Sequence, residues 1–178
     1  PGGCSRSSAR CTGRDESLKA GFGEAHGKLT GELPASVLFA CTMNAVRSPM
    51  ASAILRHLAG RRCYAVSAGV RRGTSDPFIT EVMAEIGIDV SHHAPTTIDE
   101  LHDTSFDLIV SLSPEAHHQA LELTRTFAVD VEYWPTFDAS MMIGQGNREQ
   151  VLGAYRGVRD GLFRRIKQRF RLQGGPSV

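Results

Sequence analysis

Residues 37–49 read VLFACTMNAVRSP and contain the clearest pattern in the chain. The first four residues of this stretch form a continuous apolar run, which is typical of a strand covered on both faces of a sheet. Ser48 and Pro49 supply a helix N-cap and a first-turn proline, so they predict that a helix begins there. The stretch therefore predicts a buried strand, a tight loop and a helix in direct succession.

The same alternation of strand and helix patterns continues along the chain. The apolar face of the first helix is predicted to contain Met50, Ala53, Ile54, His57 and Leu58. The later predicted elements are a strand over 63–67, a helix starting at Asp76-Pro77, a strand over 106–110, a helix starting at Ser113-Pro114, an edge strand over 129–133 and a helix of about five turns over 151–170. This order predicts an α/β fold, with a parallel sheet that has helices on both faces.

Length and composition narrow the class of protein. The chain has 178 residues, 41% of them hydrophobic and 22% charged, which fits one globular domain, predicted over 34–172. Residues 1–33, rich in Gly, Ser and Arg, are predicted to form a flexible tail, and 173–178 a short C-terminal tail. A net charge of +1 argues against nucleic acid as a partner, and no apolar run is long enough to span a membrane. We expect a cytoplasmic protein.

The cysteine and histidine patterns argue against a metal site. None of the four cysteines forms a C-x2-C pair, so neither a zinc knuckle nor a disulfide framework is indicated, and reduced thiols are expected. The pairs His92-His93 and His117-His118 consist of adjacent residues, which do not share a helix or strand face. We predict no metal and no cofactor.

The loop after the first strand has the motif C-x5-R-S, from Cys41 to Ser48. Five intervening residues allow the loop to curl so that its N–H groups surround an anion at a helix N-terminus. Arg47 supplies a planar fork that matches two phosphate oxygens. The predicted phosphate-binding residues are Thr42, Met43, Asn44, Ala45, Val46 and Arg47.

Cys41 is the predicted nucleophile of this site. The amide dipoles and the guanidinium favour its thiolate, and the Ser48 hydroxyl can donate a hydrogen bond to the sulfur. Two structural alternatives stay open: Cys41 can be a small buried residue at the end of a strand, and Arg47 a surface arginine.

Cleavage of a phosphate ester also needs an acid for the leaving oxygen. In an open parallel sheet the ligand lies beyond the carboxyl ends of the strands, so the acid should follow a strand. Asp107, Asp130 and Glu132 are placed within strands, whereas Asp138 follows the edge strand among aromatic residues. Asp138 is the predicted acid, and an Asx-type cap of a turn is its structural alternative.

On these motifs, residues 35–172 resemble the low-molecular-weight protein tyrosine phosphatases and the related thioredoxin-coupled arsenate reductases. Ser67-Ala68-Gly69 and residues 87–91 add to the likeness. The resemblance implies a flavodoxin-like three-layer sandwich with a four-stranded parallel sheet of order 2-1-3-4. It also implies a phosphocysteine intermediate, Asp138 acting as acid and then base, and a hydrogen-bond network that holds the loop, with Asn44 in a left-handed conformation. The network residues are Asn44, Ser48, Ser67 and His93.

Several positions depart from the family pattern. Met43 replaces a glycine, so either its backbone avoids positive φ or the loop is strained. The other replacements are Val46 for a second loop cysteine, Ala139 for a proline, Ser140, Met141 and Met142 for a segment that contains tyrosines, and Val70-Arg71-Arg72 for an aromatic wall. The substrate class is the part of the function that these changes affect most.

The predicted function is hydrolysis of phosphate monoesters, with protein phosphotyrosine as the substrate class and inorganic phosphate as a product. Two alternatives are kept. An arsenate reductase would need resolving cysteines, and residues 106–140 contain none, while Cys63 fits a core position. A phosphate-binding module that turns over weakly would use the same loop without an efficient acid.

Overall fold

The computed structural model describes residues 33–103 and 105–172. The tails predicted over 1–33 and 173–178 lie outside these residues, apart from Leu33. Within the described residues four strands alternate with four α-helices: β1 (Ser36–Cys41), α1 (Arg47–Ala59), β2 (Tyr64–Gly69), α2 (Pro77–Ala84), β3 (Leu108–Ser111), α3 (Pro114–Leu123), β4 (Asp130–Tyr133) and α4 (Arg148–Arg169). The predicted α/β class is confirmed.

All three strand pairings are parallel, and the strand order is β2-β1-β3-β4, as the resemblance implied. Cys41 pairs with Gly69, and Ser111 pairs with Ala40 on one side and Tyr133 on the other. The carboxyl ends of all four strands therefore meet at one edge of the sheet, which is where a ligand is expected to bind.

The core divides into two parts because the side chains of β1 alternate between the faces of the sheet. Val37, Phe39 and Cys41 belong to the larger cluster, with residues of α1, α2 and α4. Leu38 and Ala40 belong to the smaller cluster, with residues of α3. Full burial of a side chain such as Phe39 stabilises the fold by about 1.5–3 kcal/mol. This arrangement is the predicted three-layer sandwich, and it fixes the strand that ends in Cys41.

Two of the predicted helix starts are confirmed in detail. Asp76 caps α2 by accepting a hydrogen bond from the Phe78 amide, and Ser113 caps α3 through the Ala116 amide. In each case a proline follows the cap directly and pre-sets the first helical φ angle. No helix in residues 33–103 and 105–172 has the length and apolar character needed to cross a bilayer.

The predicted start of α1 is wrong. The helix begins at Arg47, and Val46 is in the capping position without a side-chain hydrogen bond. Ser48 lies inside the first turn because its hydroxyl contacts the Cys41 sulfur and Asn44 instead of capping the helix. The demands of the loop therefore override the local capping preference.

Three smaller predictions also need correction. His57, expected on the buried face of α1, is exposed. Asp107 precedes β3 instead of lying within it, and its carboxylate accepts hydrogen bonds from the amide and hydroxyl of Ser36. With 22 residues, α4 has about six turns, one more than its apolar pattern alone marked.

Candidate active site

A cleft of about 480 Å³ opens at the carboxyl edge of the sheet. Cys41, Arg47 and Asp138 all line it, although they come from the end of β1, the start of α1 and the loop after β4. The structure thus brings together the predicted nucleophile, phosphate-binding arginine and acid. Met43, Ala45 and Val46 of the intervening loop also line the cleft.

The Cys41 sulfur has two polar neighbours. Its Sγ lies 3.0 Å from Ser48 Oγ, and the Asn44 backbone N–H donates to it at 3.3 Å. Because a thiolate carries no hydrogen, Ser48 must be the donor whenever Cys41 is ionised. Cys41 is buried, yet it contributes to the wall of the cleft, so the plain strand-end alternative does not describe its setting.

Asn44 has the most hydrogen-bond partners in the loop and an unusual backbone conformation. Its φ of +49° is in the left-handed region, and the other loop residues, Met43 included, avoid positive φ. Asn44 Nδ2 donates to the carbonyl oxygens of Ser67 (3.2 Å) and Thr96 (3.1 Å). His93 Nε2 lies 2.8 Å from the Asn44 carbonyl oxygen, and because a carbonyl only accepts, the ring nitrogen donates. Ser67 therefore contacts this network through its backbone.

Residues 70–73, which follow β2, hydrogen-bond to the backbone of the loop that begins at Cys41. The amides of Val70, Arg71 and Gly73 donate to the carbonyl oxygens of Cys41, Thr42 and Met43 at 3.0, 2.9 and 2.8 Å. A Cβ atom at Gly73 would lie only 2.6 Å from the Met43 carbonyl oxygen, so this close approach requires glycine. Sequence reasoning did not identify Gly73, whose importance depends on a contact between distant segments.

Arg47 is 7% exposed, which excludes the surface-arginine alternative. Its Nη2 donates to Asp138 Oδ2 at 2.7 Å and to Thr42 Oγ1 at 3.3 Å, and its Nη1 donates to the Thr136 carbonyl oxygen at 3.3 Å. The guanidinium is therefore directed at the acid loop. An incoming phosphate must share or replace these partners.

The two carboxylate oxygens of Asp138 have different partners. Oδ1 accepts hydrogen bonds from the amide (3.2 Å) and hydroxyl (2.7 Å) of Ser140 and so caps the short 3-10 helix Ala139–Met142. Oδ2 forms the ion pair with Arg47. Asp138 thus has the capping contact of its structural alternative and, at the same time, a position in the cleft.

Thr42 links the loop to α3. Its hydroxyl donates to Glu115 Oε2 at 2.6 Å and accepts the hydrogen bond from Arg47. Since a hydroxyl has one hydrogen, the bond to Glu115 leaves its lone pairs for the guanidinium. Glu115 was not identified from the sequence, because only the tertiary fold places the first turn of α3 beside this loop.

The far wall of the cleft comes from the start of α2. Residues 73–78 line it, including Asp76 and Phe78. Asp76 Oδ2 accepts a hydrogen bond from the hydroxyl of Tyr155, and burial, followed by the carboxylates of Asp76 and Asp138, raises the pKa of that phenol. Sequence reasoning identified Asp76 only as a helix cap. The rule that ligands bind beyond the carboxyl ends of strands could have marked this loop, because it follows β2.

Cys63, the other cysteine within the described residues, lies away from this cleft. It precedes Gly69 by six residues along an extended segment, which places it about 20 Å from the carboxyl edge of β2. Burial, with a smaller contribution from Asp107, raises its pKa to about 11. Cys63 therefore lacks both the position and the ionisation needed of a resolving thiol. Residues 33–103 and 105–172 also contain no cluster of three His, Cys, Asp or Glu side chains suited to a metal ion.

A cysteine at the end of a buried strand, a short loop at a helix N-terminus and a buried arginine together define the phosphate loop of the cysteine-dependent phosphatase class. Residues 36–170 match the family model described as low molecular weight phosphotyrosine protein phosphatase. The chain belongs to this family.

Relatives with different names share the fold. The chain is 30% identical over 132 residues to an arsenate reductase of Bacillus subtilis, covering 74% of this chain and 92% of that protein. The tyrosine phosphatase Wzb from Escherichia coli K30, solved with sulphate, superposes with a TM-score of 0.60 at 21% identity, over 78% of this chain and 98% of Wzb. The YwlE arginine phosphatase of Bacillus subtilis gives a TM-score of 0.59 at 22% identity, over 76% and 93%.

Proposed function

We propose that this protein hydrolyses phosphate monoesters, with protein phosphotyrosine as the substrate class, through a phosphocysteine on Cys41. The observation that carries the proposal is the convergence of three groups on one cleft: a sulfur 3.0 Å from a serine hydroxyl, a buried guanidinium, and a carboxylate 2.7 Å from that guanidinium. The proposed enzyme domain comprises residues 34–172 and acts on cytoplasmic phosphoproteins.

Substrate binding exchanges one anionic partner of Arg47 for another. The phosphate accepts hydrogen bonds from Arg47 and from the amides of the loop, formed by Thr42, Met43, Asn44, Ala45 and Val46. Arg47 then releases Asp138 Oδ2, so that Asp138 can take up a proton from solvent and serve as an acid. Asn44, Ser48, Ser67 and His93 hold the loop in its curled form while this exchange occurs.

The chemistry proceeds in two displacements. The Cys41 thiolate attacks phosphorus, the bond from phosphorus to the leaving oxygen breaks, and protonated Asp138 delivers its proton to that oxygen. A water molecule then attacks the phosphocysteine while the Asp138 carboxylate accepts a proton from it. The phosphorus–sulfur bond breaks, inorganic phosphate leaves, and Ser48 stabilises the restored thiolate.

Arsenate reduction is a second candidate function, because curated relatives such as the protein of Bacillus subtilis are named arsenate reductases. The same loop can bind arsenate, whose shape and charge resemble those of phosphate. Reduction also needs two electrons from thiols, and Cys63, the other cysteine within the described part of the chain, is about 20 Å from the site. Within the described residues no second thiol lies near the site, so a reductase would depend on Cys4, on Cys11 or on a thiol of another molecule. We therefore favour hydrolysis.

The test compares four substrates with purified full-length protein. We expect turnover of an aryl phosphate and of a phosphotyrosine peptide. A phosphoarginine peptide is a third substrate because of the named activity of YwlE. Arsenate with a thioredoxin system is the fourth.

Variants assign the roles within that test. Cys41→Ser should lower turnover by more than about 10⁴-fold, and Asp138→Asn should lower kcat by about 10²- to 10⁴-fold. Cys63→Ser serves as the control and should retain activity. Phosphate binding without turnover would instead support a phosphate-binding module, and arsenate reduction without ester hydrolysis would support the reductase.

A further inference from the structure

Three large apolar side chains line the cleft: Met43, Phe78 and Ile143. These three residues come from different segments: the loop after β1, the first turn of α2 and the end of the 3-10 helix Ala139–Met142. Met43 and Ile143 are 39% and 50% exposed, and Phe78 is half-buried. Phe78 is the one aromatic ring among the residues that line this cleft.

Phe78 is fixed at both its backbone and its ring. Its amide donates to Asp76 Oδ1 at 2.9 Å, and its ring packs against Tyr155 with a centroid distance of 5.4 Å and an interplanar angle of 43°. The hydroxyl of Tyr155 in turn donates to the other carboxylate oxygen of Asp76. A ring held in this way loses little conformational freedom when a ligand packs on it.

We propose that Phe78 is the specificity-determining residue for the leaving group and makes the site prefer aryl over alkyl phosphate monoesters. The inference rests on the proposed function and narrows its substrate class. Aromatic side chains are missing from residues 70–72 and 140–142, where the resemblance led us to expect them. Phe78 lines the same cleft from α2 and supplies an aromatic side chain there in their place.

Packing of α2 against α4 is the competing explanation for Phe78, because the residue also contacts the core. The two roles predict different consequences for a ligand. A packing residue affects all ligands of the cleft equally, whereas a specificity residue affects those with an aromatic group. Phe78→Leu separates the roles, since leucine retains an apolar side chain for the α2–α4 contact and removes the aromatic face.

The experiment measures the affinities of phenylphosphonate and methylphosphonate by isothermal titration calorimetry. Neither compound has an ester bond to cleave, so the result does not depend on turnover. We expect the wild type to bind phenylphosphonate about tenfold more tightly, and Phe78→Leu to reduce this ratio by about 3- to 10-fold. The affinity for methylphosphonate should change by less than about twofold, as an aromatic-specific effect requires.

Phe127→Leu is the matched control, because Phe127 is 39% exposed and does not line the cleft. Its affinity ratio should equal that of the wild type. An unchanged ratio in Phe78→Leu, a parallel loss for both phosphonates, or no binding of either by the wild type would overturn the inference. A reduced ratio in a protein that hydrolyses no phosphate ester would support Phe78 as the aryl-recognising residue and refute the proposed function alone.

Discussion

Cys41 and Cys63 lie at opposite ends of one sheet and are 2% and 4% exposed, so burial hardly distinguishes them. Their polar neighbours do. The sulfur of Cys41 contacts the Ser48 hydroxyl and the Asn44 amide, and a guanidinium lines the same cleft. Cys63 is desolvated and close enough to the Asp107 carboxylate for that charge to raise its pKa further. The partners of a buried thiol, more than its exposure, therefore decide its chemistry.

The direction of the strands explains the difference between the two ends. At the carboxyl edge, β1 leads through the loop into the N-terminus of α1, whose free amides and helix dipole favour an anion. At the amino edge, Cys63 is followed by β2 and has no helix N-terminus directly after it. The same residue type is thus the proposed nucleophile at one edge and a core residue at the other.

Alkylation should show the largest difference between the two cysteines. At pH 7.5 a thiol with a pKa of about 11 is ionised in only about one molecule in 3,000. Because the pKa of Cys63 is well above that of an ordinary thiol and Cys41 lines the cleft, we expect iodoacetamide to label Cys41 more than about 10²-fold faster than Cys63, as followed by mass spectrometry of the two peptides. Phosphate should protect Cys41 alone. Comparable rates for the two peptides would contradict the contrast.

Much of the fold could be predicted because its signals are local. The apolar run before Cys41 and the Asp-Pro and Ser-Pro pairs at α2 and α3 lie within a few residues of the elements that they define. The start of α1 could not be predicted in this way. Ser48 fits a local capping pattern, but its hydroxyl is used by the sulfur and by Asn44, a demand that exists only once the loop has closed.

The residues of the candidate site also differ in whether a local sequence pattern predicts them. The sequence was sufficient to place Cys41 and Arg47 in one loop, because their spacing is itself the signal. The ion pair between Arg47 and Asp138, 91 residues apart in the chain, depends on packing that no local pattern describes. The position of Phe78 depends on packing for the same reason, since its ring packs against Tyr155 of α4 and only the tertiary fold places the residue beside the cleft.

Stability at alkaline pH should report the amino-edge thiol. The pKa of Cys63 is raised from 9.0 in the unfolded reference to about 11 in the fold. Its contribution to stability is therefore fully present below pH 9 and is lost as the pH rises to 11. By this linkage, the wild type should lose about 2 kcal/mol of its free energy of unfolding relative to Cys63→Ala between pH 9 and pH 11.

Urea unfolding of both proteins at pH 7, 9, 10 and 11 measures this loss. The high-pH titration of Tyr155 occurs in both proteins and cancels in the difference. A difference in free energy that stays constant with pH would mean that Cys63 is not desolvated as the fold implies.

Removal of a polar partner of the sulfur should make the carboxyl-edge thiol less effective. Ser48→Ala takes away the hydroxyl 3.0 Å from Cys41 Sγ, and a hydrogen bond to a charged group contributes about 1.5–3 kcal/mol. We expect kcat to fall by about 10- to 100-fold. Ser52→Ala is the matched control, because Ser52 is equally buried in α1 but its hydroxyl donates to the Pro49 carbonyl oxygen. Equal losses in the two variants would show a general effect of packing.

The smallest effect concerns the charges at the two edges. Asp107 lies near Cys63, whose pKa is raised mainly by burial and further by the charge of Asp107, whereas Asp138 forms an ion pair with the Arg47 guanidinium. The side chains of Arg47 and Asp138 are only 8% and 26% exposed, and by the proposed mechanism their ion pair opens when phosphate binds. Asp138→Asn should therefore bind inorganic phosphate about fivefold more tightly, which corresponds to about 1 kcal/mol for a partly exposed pair.

Calorimetric titration of phosphate into wild type, Asp138→Asn and Asp130→Asn measures this competition. Asp130 is exposed at the amino end of β4, so the control makes the same change of charge away from the cleft. The affinity of Asp130→Asn for phosphate should stay within about twofold of that of the wild type, because exposed charges contribute little. Weaker phosphate binding by Asp138→Asn would show that the carboxyl group assists the anion instead of competing with it. Tighter binding together with slower turnover would show that Asp138 occupies the phosphate-binding arginine in the free protein and serves the chemistry only after the substrate has displaced it.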